Sequence, residues 1–334
     1  MSSSFSVVKP SYLENTSNIV VNGNLTVNGT VSTYLDTSLN SLPENTISLF
    51  GNFSGVNKWH GGVLAPNGKI YCVPSTSTSV LIIDPVNNTA DTTTISVLPG
   101  FFKWYGGVLA PNGKIYCVPR ETTSVLIIDP VTNTADTTTI SNLNTVIANR
   151  WSCGVLAPNG KIYCIPRNHN SVLIIDPVTN TADTTTISGL SGTTVKWIGG
   201  VLAPNGKIYG IPNDIATTSV LIIDPVTNTA DTTTISNLNT VLNNRWHGGV
   251  LAPNGKIYGI PYESTSVLII DPVTNTADIT TISGLTGSLK WVGGVLAPNG
   301  KIYGVPSNST SVLVINPGLP KHPSWMLKPY FNKF

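Results

Sequence analysis

A basic residue stands directly before a tryptophan six times: Lys58–Trp59, Lys103–Trp104, Arg150–Trp151, Lys196–Trp197, Arg245–Trp246 and Lys290–Trp291. Six cations brought to one mouth would bind an anion. Six cations each leaning on an indole ring would brace a framework. Two unit charges about 9 Å apart repel by roughly 2 kcal/mol at an effective dielectric near 20. A converging set therefore needs either an anion or side chains turned onto neighbouring rings and polar groups. A residue that recurs in every unit of a repeat reads first as part of the unit. A second group is asymmetric: Arg120, Glu121, Arg167 and His169 gather in two connections only, and they are the best candidates for turnover or for a specific ligand.

The other reactive residue types do not assemble into a centre. His60 and His247 follow Trp59 and Trp246, but the matching positions hold Tyr105, Ser152, Ile198 and Val292, so no ring of metal ligands forms. Cys72, Cys117, Cys153 and Cys164 lack the paired spacing of a zinc site and read as buried thiols of a reducing compartment. Two columns of aspartate recur, beginning at Asp84 and Asp91, without the clustered oxygens of a calcium loop. They are expected to pair at the rim with a second column of lysines that begins at Lys69. No metal and no cofactor is expected.

A repeat must position these residues. The string GVLAPNGKIY occurs six times without change, starting at Gly62, Gly107, Gly154, Gly200, Gly249 and Gly294, at spacings of 45, 47, 46, 49 and 45. A Trp stands three residues before each string, and SVLIIDPVTNTADTTTIS or a close variant follows in five copies. Each copy reads as four strands: GGVLA, KIYxxP, SVLIID and ADTTTI. The Ala-Pro-Asn-Gly turn supplies a preset Pro and a Gly free to take positive φ. The Asp-Pro-Val-Thr-Asn-Thr turn supplies an Asp able to bond downstream amides. No segment carries a 3.6-residue apolar period. Four antiparallel strands per roughly 46 residues, repeated six times, define an all-β, six-bladed β-propeller. Apolar residues on both faces of the first three strands require blades stacked on both sides, each buried Val, Leu or Ile contributing roughly 1.5–3 kcal/mol.

The sixth copy stops at SVLVINPG, before a fourth strand. Glu44–Ser48 precedes Trp59 much as Thr-Thr-Ile-Ser precedes each later Trp. Residues 45–50 are therefore expected to pair with residues 311–316 and close the last blade, leaving no open edge. The division is an N-terminal arm or short β stem at 1–43, the propeller at 44–317 and an aromatic tail at 318–334. Within the arm, VNGNLT and VNGTVS suggest short stacked β segments, similar to fibre stems that trimerise. A homotrimer through the arm is one expectation, and a polar tail is the other.

The strings APNGKIYCVP, SVLIID and TNTADTTTI resemble the YVTN-type and NHL-type propeller repeats over residues 45–316. That resemblance implies a binding scaffold, with some lyases and hydrolases in the group. Six copies stand here where the YVTN group usually has seven. Near-identical repeats rich in Asn and Thr are also similar to repeat proteins of large DNA viruses of amoebae. This resemblance implies a structural protein of a viral particle (virion) or a virus–host protein-binding module.

Composition narrows the function. The chain has 334 residues, 10% of them charged, and a net charge of +2. A coat for nucleic acid needs a basic surplus, so no nucleic acid is expected as partner. No apolar run approaches the roughly 18 residues of a membrane span. The N-terminus has no charged start followed by an apolar core, so no signal peptide is read and the expected location is the cytoplasm of the producing cell or the virion. The invariant turns share one face of the ring. The variable connections share the other: 75–78, 120–123, 167–170, 213–218, 262–265, 307–310 and the links between blades. That variable face, with the basic–Trp pairs at the channel mouth and Arg120, Arg167 and His169 around it, is where a protein or glycan partner is expected. The leading expectation is a non-enzymatic interaction module, followed by a lectin-like ring and then by an enzyme at the channel mouth.

Overall fold

The computed structural model describes residues 49–143, 147–192, 195–238 and 242–318. These residues form six antiparallel sheets arranged as the blades of a propeller, with no helix among them. Blade one is Trp59–Leu64, Ile70–Pro74, Leu81–Asp84 and Thr89–Asp91, and the strands neighbour one another in chain order. Blades two to five repeat this pattern from Trp104, Trp151, Trp197 and Trp246. Blade six shows Trp291–Leu296, Ile302–Pro306 and Leu313–Ile315. Of the expected closing segment at 45–50, residues 45–48 lie outside the described residues, as do the arm at 1–43 and the tail from 319 onward, while 49–50 are described and form no strand.

The turns form for the reasons their residues give. Gly68 takes φ 78° and donates its amide to Ala65 O at 3.0 Å, while Asn67 Oδ1 accepts from Lys69 N at 3.0 Å. In the next turn Asp84 Oδ1 accepts from Val86 N at 2.9 Å and Asn87 N at 3.2 Å.

The fourth strand is shorter than the sequence suggests: only Thr89–Asp91 pairs, and the following Thr-Thr-Thr bends away. Asp91 Oδ1 accepts the amides of Thr93 and Thr94, at 2.7 and 3.1 Å. Those N–H groups are thereby taken from the ladder, since a short polar side chain competes with the backbone for its own amides. The chain returns at Ile95, whose carbonyl accepts from Val80 N at 3.0 Å.

The inner strand carries an irregularity in every blade. In blade one Trp59 pairs with Pro74 and Gly62 with Cys72, so one extra residue sits between them. Such a bulge re-aims the side chain it carries. The residue after each Trp (His60, Tyr105, Ser152, Ile198, His247 and Val292) occupies this bulge.

The core lies between blades. One cluster joins Val73, Val80 and Ile82 of blade one to Trp104, Ile115 and Leu126 of blade two, and four more repeat the joint as far as blade six. Each joint is a notch and a knob. A Cβ built on Gly154 would lie 2.8 Å from Val108 Cγ2 and 3.1 Å from Val118 Cγ2 of the preceding blade. The trailing face of blade six differs. Val305 is 50% exposed and Val312 55%, whereas the matching Val73 and Val80 are fully buried. Leu64 of blade one is 53% exposed, and Gly62 meets only side chains of its own blade. Five packed seams and two bare apolar faces are therefore present among the described residues.

Candidate binding site at the channel mouth

The basic–Trp pairs are framework. Each indole Nε1 donates to the carbonyl that precedes its own third strand, from Trp59 to Ser79 O at 2.8 Å through Trp291 to Ser311 O at 2.7 Å. The preceding cation collects carbonyls. Lys103 Nζ donates to Ser75 O, Ser77 O and Gly100 O at 2.8–2.9 Å. Arg245 donates to Leu238 O, Asp214 O and Thr217 O. Lys58, Lys103, Arg150 and Arg245 also lie over their own Trp rings, 5.0–5.9 Å from the centroids. Lys103, Arg150, Lys196, Arg245 and Lys290 are buried, and only Lys58 of blade one is partly open. Lys103, Lys196 and Arg245 thereby bolt their own blade to the connection of the preceding one. The sequence expectation of cations leaning on Trp and polar neighbours describes this geometry. Of the twelve residues in the pairs, Trp59 alone lines the mouth cavity.

A different set forms the mouth. A cavity of about 350 Å³ is walled by Trp59, His60, Phe102 and Tyr105, with Arg120 and Arg167 supplying its charge. His60 and Tyr105 stack with ring centroids 3.6 Å apart. The Arg120 guanidinium lies 4.8 Å from the Phe102 centroid and 5.7 Å from that of Tyr105, and its Nε donates to Asn149 Oδ1 at 2.6 Å. Glu121 approaches the same Nε at 4.0 Å. Arg167 Nε is buried and makes no hydrogen bond among the described residues. His247 of blade five belongs to the same electrostatic neighbourhood: burial, then Arg167 and His60, hold its imidazole down to about 4. Burial, then Arg120, also lowers His60. Both rings are therefore neutral at neutral pH, and His60, which lines the cavity, adds aromatic surface rather than charge.

The structure divides the asymmetric group expected from sequence. Arg120 and Arg167 reach the cavity, and Glu121 flanks it. His169 does not line it: its ring packs on Trp151 at 4.7 Å and its Nδ1 accepts from Ser171 N at 3.1 Å. His60, Phe102 and Tyr105 were not expected as site residues. The signal for His60 and Tyr105 is the position after Trp, which varies from blade to blade; Phe102 lies in the variable link before Lys103–Trp104. Among the described residues no three His, Cys, Asp or Glu come together to hold a metal ion. The four cysteines are free thiols, and burial raises Cys117 and Cys164. Lysine–aspartate pairs do form at the rim, from Lys69–Asp84 at 3.9 Å to Lys256–Asp271 at 3.2 Å.

Solved β-propellers share this architecture. Virginiamycin B lyase from Staphylococcus aureus superposes with TM-score 0.60 at 9% identity, over 77% of this chain and 84% of that one. The extracellular domain of BT4673 from B. thetaiotaomicron gives 0.58 at 12% identity, over 80% and 35%. An auxiliary nutrient binding protein from Bacteroides ovatus gives 0.50 at 16%, over 74% and 66%. Scans against protein-family models and curated proteins find no match. The chain is a β-propeller repeat protein, and its structural relatives have varied roles, a lyase and a nutrient binding protein among them.

Proposed function

We propose that the chain is a non-enzymatic binding propeller that engages its partner through the channel mouth and the variable connections around it. One observation carries this reading. The repeat's constant charged and polar residues are spent on the framework, while the residues that differ between blades one, two and three converge on a single aromatic, cationic cavity. Loops and strand ends on a rigid scaffold are where such folds bind. A solved neighbour named for nutrient binding is consistent with it.

A glycan partner is the second reading, because Trp59, Phe102 and Tyr105 put three aromatic rings in the cavity lining, and sugar rings stack on such side chains. A role in a viral particle or at a virus–host contact, and trimerisation through the arm at 1–43, rest on sequence resemblance. The reading as an enzyme gains little, since the cavity pairs no nucleophile with a base. The test is a variant in which 120–123 and 167–170 are replaced by the Ser-Thr-Ser-Thr of 75–78. On a carbohydrate array and against candidate protein partners, the intact chain should bind a species that this variant loses while melting normally. Equal binding by both chains would place recognition elsewhere.

A further inference from the structure

We infer that the mouth cavity takes a small organic monoanion, a carboxylate carried on a single six-membered ring. The inference deepens the proposed binding function and rests on the mouth being the binding site. Size sets the first limit. About 350 Å³ lies at the low end of the roughly 300–1,000 Å³ of small-molecule sites, so a single ring is enough to fill it. The walls set the second, since Trp59, Phe102 and the stacked His60–Tyr105 pair favour a flat or ring-shaped body.

Charge sets the third limit. Two guanidinium groups, Arg120 and Arg167, line the cavity and no carboxylate does. Arg120 is partly answered by Glu121 at 4.0 Å and is anchored by Asn149. Arg167 has no such answer: its Nε is buried without an acceptor among the described residues. Buried donors are almost always paired, and an orphan calls for an acceptor. His60 and His247 stay neutral at neutral pH, so about one positive charge is left uncompensated. A monoanion balances it, whereas a phosphate dianion would overshoot and meet Glu121. A carboxylate also matches the planar guanidinium fork with two parallel hydrogen bonds.

The experiment is calorimetric titration of the full chain at neutral pH with D-glucuronate and benzoate. D-glucose and benzamide serve as ring-matched neutral probes, and inorganic phosphate as the competing anion. At least one carboxylate should bind ten times more tightly than its neutral partner and than phosphate, and the acid preferred identifies a sugar or an aromatic source. Arg167→Gln should remove that preference without lowering the melting temperature. Arg120→Gln, which leaves Arg167 in place, should weaken it less and serves if the first variant does not fold. Equal binding of charged and neutral probes would overturn the anion assignment while leaving the binding mouth standing. Phosphate binding more tightly than either acid would overturn it as well. Binding of no probe would overturn the assignment too, with the mouth itself then judged by the connection-replacement variant alone.

Discussion

The hydroxyl of Tyr71, in the second strand of blade one, lies 2.6 Å from Oδ1 of Asn133, in the last turn of blade two. It donates to that oxygen and accepts from Asn67 Nδ2 at 3.0 Å, and Asn67 also donates to Pro130 O at 2.9 Å. The two invariant turns of the repeat are thus bonded to each other across the seam. Tyr116–Asn180, Tyr163–Asn228 and Tyr209–Asn275 repeat the brace. Tyr303 of blade six meets only Asn299 of its own blade among the described residues.

Tyr71→Phe therefore leaves Asn133 without its donor at a buried joint and should cost about 1 kcal/mol. Tyr303→Phe should change stability by less than about 0.5 kcal/mol. Urea denaturation of the two variants checks this. Equal losses would mean that the blade-six hydroxyl has a cross-seam partner as well.

Much of this architecture is legible in the sequence, because each blade repeats the same local chemistry. The Pro-Asn-Gly and Asp-Pro turns, the strand order and the shared turn face all follow from residue types. The cross-seam bonds do not, since they join Tyr71 to a residue in the next copy at a register that only the stacked ring defines. The fourth strand is misjudged for a local reason: in ADTTTI the Asp takes the amides that a strand would need. The mouth with Arg120 and Arg167 is legible, but its aromatic wall is hidden for a different reason. His60 and Tyr105 come from separate blades, and their stacking depends on a bulge that period-two patterning does not reveal.

The notch and knob at each seam yield a second prediction. Gly154→Ala places a Cβ 2.8 Å from Val108 Cγ2 and 3.0 Å from Ile162 Cγ2. Overpacking of this kind costs about 1–3 kcal/mol. Gly62→Ala meets Ile70 Cγ2 at 3.1 Å and nothing from another blade, so it should cost clearly less. Thermal melts of both variants decide the point. A Gly62→Ala loss as large as that of Gly154→Ala would show that the blade-one notch is filled in solution.

Acid should weaken the fold through the second aspartate column. Burial pushes Asp183 up, but hydrogen bonds from the side chains and amides of Thr185 and Thr186 outweigh it and leave the carboxyl at about 2. Asp136 and Asp231 are held at about 2 in the same way, and Asp91 and Asp278 are lowered too. An unfolded Asp titrates near 3.9. The folded chain therefore holds fewer protons in this window, and the stabilisation, complete above about pH 4, drains as pH falls towards about 2. Thr139→Val with Thr186→Val removes two donors and should move the midpoint of acid unfolding upward. An unchanged midpoint in circular-dichroism titrations would count against the column.

Lys196 has the opposite pH dependence. Its side chain is 1% exposed, and burial lowers its ammonium to about 8, against roughly 10.4 for a free lysine. Among the described residues its ammonium donates to Asn170 Oδ1 at 3.4 Å. Between about pH 8 and pH 10 the unfolded chain keeps a proton that the folded chain has released, so this group makes stability rise with pH. Below about pH 8 the folded state carries the full cost of a buried charge. Lys196→Met keeps an apolar stem of similar length and removes that cost. The variant should be more stable than the parent at neutral pH and should flatten the rise between about pH 8 and pH 10. Urea denaturation across that range measures both effects. A variant less stable at neutral pH would show that Asn170 and the surrounding framework hold the ammonium more strongly than burial penalises it.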